Sequence, residues 1–176
     1  MTETQVVVVC TECREHWYVD GAPARCTDPS HTHRQFEVHR HRTDVVLPAG
    51  TTVVATSFDE RGPYSRDRPP DYGLYLDPRW QPPWTHDQLD WPDFGVPSDV
   101  GALTLALRSV LERARAGQRV EVGCLGGHGR TGTALACLAV LSGHPANDAV
   151  AWVRAHYCPA AVETPEQEEF VTGLVV

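Results

Sequence analysis

A strand, a glycine-rich turn and an apolar helix follow one another in the second half of the chain, and this arrangement constrains the fold most. Residues 119–123 (RVEVG) predict a short strand, and residues 131–141 (TGTALACLAVL) predict a buried helix that ends at Gly143. A strand that leads through a short turn into a buried helix is typical of α/β proteins. We therefore expect an α/β fold with a functional turn between these two elements.

The turn predicts a concave site for a phosphate group. Its glycines let successive backbone N–H groups point inward, and the next helix presents its N-terminus to the same space. Cys124 lies at the base of the turn, where these dipoles and Arg130 favour a thiolate, and the Arg130 fork can bind two phosphate oxygens. An inert cysteine in a glycine-rich turn is the alternative. The residues expected to contact phosphate are Leu125, Gly126, Gly127, His128, Gly129 and Arg130.

Three segments carry a family resemblance. CLGGHGRTG, which begins at Cys124, resembles the Cys-x5-Arg loop of the cysteine-dependent protein tyrosine phosphatase superfamily, in its dual-specificity and tensin-type form. WPDFGVP, residues 91–97, resembles the mobile acid loop of that family, and TPEQ, residues 164–167, resembles a late segment with a water-positioning glutamine. The resemblance covers roughly residue 45 to the C-terminus. It implies a small central mixed sheet flanked by helices.

The resemblance also implies a role for each site residue. Cys124 would attack phosphorus to form a phosphocysteine, while Arg130 holds the phosphate and Asp93 protonates the leaving oxygen. Asp93 would then take a proton from water, and the Thr131 hydroxyl would donate to the leaving sulfur. Gln167 would orient that water, although a helix-capping role explains it equally well. No metal is expected in catalysis.

One position departs from the family. A histidine usually precedes the cysteine and braces the loop, whereas this chain has Gly123. The departure leaves an inactive phosphate-binding interaction module as an alternative function.

The absence of lysine limits the chemistry and the substrate. All fifteen basic Lys+Arg positions are arginine, which excludes Walker-type phosphate loops, pyridoxal-phosphate Schiff bases and lysine nucleophiles. The loop also lacks the lysines that family members specific for phosphoinositides often carry. We therefore expect a singly phosphorylated substrate, either phosphotyrosine in proteins or both phosphotyrosine and phosphoserine/threonine. Inositol phosphates, phosphoinositides and nucleotides are the alternative substrates.

Charge and hydropathy bear on location and partners. The net charge of −8 offers no basic surface for nucleic acid or anionic membranes. The chain shows neither the roughly eighteen-residue apolar run of a membrane span nor a basic, apolar leader. We expect a cytoplasmic protein that binds neither nucleic acid nor membrane, and the sequence leaves its oligomeric state open.

The first quarter of the chain is rich in cysteine and histidine. Cys10 and Cys13 are followed by Cys26 and then by His31 and His33, a composition typical of a structural zinc site with three cysteines and one of the two histidines. Reduced surface cysteines beside a histidine-rich strand are the alternative. We expect residues 1–44 to form a small β-rich zinc module and residues 45–176 to form the phosphatase domain.

Hydrophobic periodicity and capping residues predict the remaining elements. Apolar residues at three- and four-residue spacing predict a helix from a Ser98 cap to Gly117. The other predictions are a helix over residues 145–157, a helix that begins at the Thr164 cap, two strands within residues 45–55, a strand at residues 72–76 and an irregular segment at residues 78–97.

Overall fold

The computed structural model of the chain describes residues 4–13, 15–19, 23–39, 41–57 and 64–174. The chain divides into two compact units, Met1–Arg40 and His41–Val176. The expected boundary after residue 44 would fall inside a strand of the second unit, Arg42–Val46. The assignment of a zinc module and a phosphatase domain stays a prediction.

The first unit contains a three-stranded antiparallel sheet. Its strands are β1 (Thr4–Cys10), β2 (His16–Tyr18) and β3 (His33–His39), in the order β2-β1-β3. Among the residues whose side chains the structure describes in this unit, Val8, Cys10, Trp17 and Cys26 are buried and pack together. A unit of about 40 residues usually needs a metal, a disulfide or a partner for stability, so a cross-link between its turns would contribute much of the stability.

The second unit contains a five-stranded mixed sheet, and this confirms the predicted fold class. Its strands run in the order β4-β5-β8-β6-β7. Only the β4–β5 pair is antiparallel, and the other three pairs are parallel. The strands are β4 (Arg42–Val46), β5 (Thr52–Ser57), β6 (Tyr72–Tyr75), β7 (His86–Gln88) and β8 (Val120–Cys124).

The described part of this unit also contains four helices. They are α1 (Val100–Arg115), α2 (Gly129–Leu141), α3 (Ala146–His156) and α4 (Pro165–Thr172). Helix α2 is buried along nearly its whole length and contacts β8 as well as α1, α3 and α4. None of the helices in the described ranges has the length and apolar character that a bilayer span requires. The central position of α2 fixes its N-terminus, where the glycine-rich turn after β8 ends.

Two sequence predictions of element boundaries are wrong. The side chain that caps α1 is Asp99, whose carboxylate accepts a hydrogen bond of 2.8 Å from the Ala102 N–H, and not Ser98. Strand β7 lies within the segment that was predicted to be irregular. It is a three-residue edge strand (HDQ) with no apolar alternation, so only its backbone pairing with β6 reveals it.

Candidate functional site

The phosphate loop, residues 124–130, joins the central strand to the buried helix. Cys124 is the last residue of β8, and Gly129 is the first residue of α2. Strand β8 is parallel to its neighbours β5 and β6. Because the loop follows the last residue of β8, it lies at the carboxyl end of these parallel strands, where α/β proteins commonly bind ligands. Gly127 has a φ of +75°, a left-handed conformation that other residues adopt only with strain. The fold thus places the sulfur at the base of the loop.

Two donors contact the sulfur of Cys124, which is 2% exposed. The Thr131 hydroxyl donates to Sγ at 3.0 Å, and the Gly127 backbone N–H donates at 3.3 Å. The two hydrogen bonds hold the sulfur at the base of the loop. The structure therefore brings together the predicted nucleophile and the predicted hydroxyl partner.

Steric contact with a neighbouring strand explains why a glycine, Gly123, precedes Cys124. A Cβ atom at Gly123 would lie 2.5 Å from Thr56 Cγ2 and 2.8 Å from the Thr56 carbonyl oxygen. Any larger residue would push against the neighbouring strand β5. In place of a histidine before the cysteine, the Tyr157 hydroxyl braces the loop by donating a hydrogen bond to the Gly127 carbonyl oxygen.

Arg130 is buried with its guanidinium fixed by backbone carbonyls. Its Nη1 donates to the carbonyl oxygens of Leu76 at 3.0 Å and Trp91 at 3.1 Å. The same nitrogen lies 3.4 Å from Asp77 Oδ2. Burial opposes ionisation of Asp77, but hydrogen bonds from Arg79 and the charge of Arg130 hold its pKa below the usual range. Asp77 therefore anchors the guanidinium as a charged partner.

The other edge of the guanidinium faces the predicted general acid. Among the described residues, no acceptor forms a hydrogen bond with Nε or Nη2 of Arg130, although Nη2 lies 3.2 Å from Asp93 Oδ1 in an ion pair. Asp93 is 23% exposed and so accessible to a substrate. Nε and Nη2 together form the planar fork that binds two oxygens of a phosphate.

The acid loop, residues 91–97, is tied to helix α4 through one carbonyl group. The Gly95 carbonyl oxygen accepts hydrogen bonds from Trp91 Nε1 at 2.8 Å and from Gln167 Nε2 at 3.1 Å. Gln167 Oε1 accepts from the Glu163 N–H at 2.8 Å, and the Thr164 hydroxyl accepts from the Gln167 N–H at 3.3 Å, which confirms the predicted cap. The buried Gln167 side chain thus positions the acid loop, and its role toward water stays a prediction.

Two predicted phosphate contacts have side chains engaged with the protein. Leu125 packs against Tyr75 and Trp80. His128 is buried, and its Nε2 lies 3.1 Å from Nε2 of His41. Their side chains therefore leave Arg130 and the backbone of the loop to hold a phosphate.

Glu163 is a site residue that the sequence predictions missed. Its carboxyl group lies close to the loop, since a Cβ atom at Gly129 would lie against Glu163 Oε2. Burial and the charge of Asp93 raise the pKa of Glu163 to about 8, against the opposing effects of Arg130 and the Gly129 N–H. The one sequence signal for it was its position directly before the Thr164 cap.

The raised pKa of Glu163 predicts a pH dependence of stability. Because the folded chain holds this proton more tightly than the unfolded chain, the free energy of unfolding should fall as pH rises from about 4.3 to about 8. Glu163→Gln should make this fall shallower, as measured by urea unfolding across that range. Glu166→Gln, exposed in the first turn of α4, is the matched control. Equal slopes in Glu163→Gln and wild type would contradict the prediction.

The first unit contains a four-residue cluster that could hold a metal ion. One ligand atom from each of Cys10, Cys13, Cys26 and His31 lies within 4.8 Å of all the others. Both Cys10 Sγ and Cys26 Sγ lie 3.3 Å from His31 Nδ1. His33 is outside this cluster, and its ring packs edge-on against Trp17. Of the two candidate histidines, His31 is the one that lies with the three cysteines.

Comparison with known proteins identifies the family. One match is the crystal structure of Tk-PTP in the active form. Tk-PTP is 30% identical in sequence to this chain, the TM-score is 0.56, and the match covers 70% of this chain and 92% of Tk-PTP. The chain belongs to the protein tyrosine phosphatase family. This membership confirms the predicted family and its class of enzyme, a cysteine-dependent phosphatase.

Two more distant protein tyrosine phosphatase structures share the fold alone. Kinase associated phosphatase is 11% identical, with a TM-score of 0.58 and coverage of 74% of this chain and 92% of that chain. The Trypanosoma brucei protein tyrosine phosphatase TbPTP1 is 16% identical, with a TM-score of 0.59 and coverage of 79% of this chain and 75% of that chain.

The second half of this protein tyrosine phosphatase also matches at the sequence level. A family model described as "Swiss Army Knife protein, DSP-PTPase phosphatase domain" matches residues 95–171. Two uncharacterized proteins of Methanocaldococcus jannaschii are 46% and 44% identical over 79 residues, 45% of this chain. The aligned parts cover 52% and 48% of those proteins, so the chain spans about half the length of the curated relatives that it matches.

Proposed function

We propose that the chain hydrolyses phosphate monoesters through a phosphocysteine intermediate. The observation that carries this proposal is the fork of Arg130. Its Nε and Nη2 are buried and form no hydrogen bond within the described residues, while Nη1 is fixed by backbone carbonyls. A buried cation with two parallel donors beside a cysteine sulfur is suited to an oxyanion.

The first half-reaction transfers the phosphoryl group to sulfur. The Cys124 thiolate attacks phosphorus in line with the leaving oxygen, so that an S–P bond forms as the P–O bond breaks. Nε and Nη2 of Arg130 bind two equatorial oxygens as their charge increases. Asp93, next to Nη2, gives its proton to the leaving oxygen, which departs as an alcohol or phenol.

The second half-reaction hydrolyses the phosphocysteine and regenerates free Cys124. Asp93, now ionised, takes a proton from water, whose oxygen attacks phosphorus as the S–P bond breaks. The Thr131 hydroxyl, 3.0 Å from Sγ, stabilises the departing thiolate of Cys124. Gln167 keeps Asp93 in place by holding the Gly95 carbonyl of the acid loop. No step in this sequence passes through a metal.

We propose a monophosphorylated substrate, phosphotyrosine in proteins or both phosphotyrosine and phosphoserine/threonine. The chain has no lysine, and the one ionisable side chain of the loop between Cys124 and Arg130, His128, is buried against His41. A second phosphate would therefore meet no cation from the loop itself.

A substrate panel tests both parts of this proposal. We expect release of p-nitrophenol from p-nitrophenyl phosphate with chelator present in the assay. Phosphopeptides should then be hydrolysed with higher kcat/KM than inositol phosphates or nucleotides. Absence of all turnover would overturn the enzymatic function, whereas preference for inositol phosphates or nucleotides would overturn only the substrate class.

We also propose that Cys10, Cys13, Cys26 and His31 bind a structural zinc ion. Three thiolates and one imidazole are a common donor set of closed, tetrahedral zinc sites. Support comes from their mutual separations and from the size of the unit that carries them, about 40 residues. Zinc bound there would link the end of β1 to the segment before β3, and so stabilise the sheet.

Loss of one zinc ligand should remove the metal. Cys13→Ser is expected to lower the zinc content of the purified chain by about one equivalent and to destabilise the first unit, as read by metal analysis and by proteolysis of Met1–Arg40. Because His33 lies outside the cluster, His33→Gln is the matched control and should retain zinc. Zinc content that is unchanged in Cys13→Ser would contradict the proposed ligand set.

We propose a cytoplasmic location. All six cysteines are free in the structure, and both the proposed nucleophile and the proposed zinc ligands need reduced sulfur. The sulfur chemistry of the chain is therefore suited to a reducing compartment.

A further inference from the structure

A second cluster of metal-ligand side chains lies beside the phosphate loop, within His41–Val176. One ligand atom from each of His41, His128 and Cys158 lies within 4.8 Å of the other two. The three residues are buried, with exposures of 8%, 1% and 1%. They come from separate segments: the residue before β4, the phosphate loop and the turn after α3. Neither the proposed reaction nor the proposed zinc site of the first unit uses this cluster.

The separations in the cluster are suited to a metal ion. With Zn–N near 2.0–2.1 Å and Zn–S near 2.3 Å, a tetrahedral site places neighbouring ligand atoms about 3.3–3.6 Å apart. Nε2 of His41 and Nε2 of His128 are 3.1 Å apart. A hydrogen bond between the two rings would also account for this distance, and the sulfur of Cys158 lies within 4.8 Å of a ring nitrogen of each histidine.

The backbone holds both histidines in place. The His41 N–H donates to Ser57 Oγ at 2.7 Å, and the Ser57 N–H donates to the His41 carbonyl at 2.9 Å. The His41 ring also packs on Tyr157, with the ring centroids 4.6 Å apart. On the other side, the His128 carbonyl accepts from the Gly132 N–H at 2.7 Å. Ligands fixed in this way lose little conformational freedom on binding an ion.

Cys158 is held in a similar way. Its N–H donates to the Val153 carbonyl at 3.3 Å, and its carbonyl accepts from the Ala161 N–H at 2.9 Å. These contacts fix the turn after α3 and keep the sulfur close to the two imidazoles.

We propose that His41, His128 and Cys158 form a second metal site, which binds a thiophilic transition-metal ion such as Zn²⁺. Two imidazoles and a thiolate are donors that Zn²⁺ prefers, and water or a small anion completes a tetrahedral shell. On binding, the Cys158 thiol loses its proton to solvent. The ion would tie His128 of the phosphate loop to β4 and to the turn after α3, so that occupancy of the site controls the rigidity of the loop.

Cobalt binding to the full chain tests this site independently of phosphatase activity. Co²⁺ is titrated into metal-free, reduced protein, and the visible d–d bands and the thiolate-to-cobalt charge-transfer band are recorded. The double variant Cys10→Ser/Cys26→Ser removes the cluster of the first unit. We expect this variant to bind one equivalent of Co²⁺ with the charge-transfer intensity of a single thiolate, and Cys158→Ser or His41→Gln added to it should abolish that binding.

Matched controls separate this site from other thiols. Cys137→Ala alters a buried cysteine of α2 outside the cluster, and Cys124→Ser removes the proposed nucleophile. In the double-variant background, either change should leave the cobalt spectrum unaltered. If the double variant fails to fold, Cys158→Ser alone should lower the stoichiometry of the otherwise wild-type chain by one equivalent. The proposal is overturned if that single variant keeps the wild-type stoichiometry, or if cobalt in the folded double variant depends on Cys124 and not on Cys158.

Discussion

Cys124→Ser is expected to lower kcat for p-nitrophenyl phosphate by at least about 10⁴-fold. The sulfur accepts hydrogen bonds from the Gly127 N–H and the Thr131 hydroxyl, which hold it at the base of the phosphate loop. A serine hydroxyl at the same place keeps its proton near neutral pH and is a far weaker nucleophile. Because oxygen replaces sulfur in an otherwise unchanged side chain, the variant should fold and still bind phosphate. Steady-state kinetics, with inorganic phosphate as a competitive ligand, measure both properties.

Cys137→Ala is the matched control for this variant. Cys137 is fully buried within α2, where burial raises the pKa of its thiol to about 12. We expect a loss of stability in Cys137→Ala with kcat close to wild type. Activity in Cys124→Ser within a few-fold of wild type would contradict the proposed mechanism.

Asp93→Asn is expected to lower kcat/KM by about 10²- to 10⁴-fold for substrates with a poor leaving group, such as phenyl phosphate or phosphotyrosine. The asparagine keeps the shape of the side chain but cannot give a proton to the leaving oxygen. Since p-nitrophenolate leaves with little protonation, the loss with p-nitrophenyl phosphate should be much smaller.

Asp90→Asn provides the comparison for this variant. Asp90 is exposed and lies directly before the acid loop, so its substitution changes local charge by the same amount. We expect its kcat/KM to stay close to wild type with every leaving group. Equal losses for good and poor leaving groups in Asp93→Asn would show that Asp93 organises the site through Arg130, without acting as an acid.

The candidate site was largely predictable because two short contiguous segments carry it. Cys124, Arg130 and Thr131 are within eight residues of one another in the chain, and a strand-to-helix turn allows them few arrangements. Asp93 could be placed only through the resemblance of its flanking residues, since a turn aspartate is common in any loop. The structure adds the 3.2 Å contact between Asp93 and Arg130 that joins the two segments.

The groupings that the sequence did not predict depend on contacts distant in sequence. His41 and His128 are 87 positions apart, and Cys158 follows a different helix. No local pattern places them together, because their proximity follows from the order in which the strands pair. Glu163 likewise gains its raised pKa from burial and from Asp93, neither of which is visible in the TPEQ segment that it precedes.

Where neighbouring residues offer the same local chemistry, one prediction was wrong and another choice stayed open. Ser98 and Asp99 can both cap a helix, and the choice depends on where the backbone first turns helical. From the sequence alone, His31 and His33 are equally suited to bind zinc. His33 pairs with Cys10 in the β1–β3 register, whereas His31 lies in the preceding turn with its Nδ1 directed at two sulfurs.

Trapping the phosphocysteine tests the central claim most directly. Asp93→Asn and p-nitrophenyl phosphate are the appropriate pair, since the leaving group departs unaided while the base for hydrolysis is absent. Rapid denaturation during turnover, followed by mass spectrometry of the peptide that contains Cys124, should show one added phosphoryl group. The same treatment of Cys124→Ser should show none. Turnover in which phosphate never appears on Cys124, or appears on another residue, would contradict the proposed mechanism.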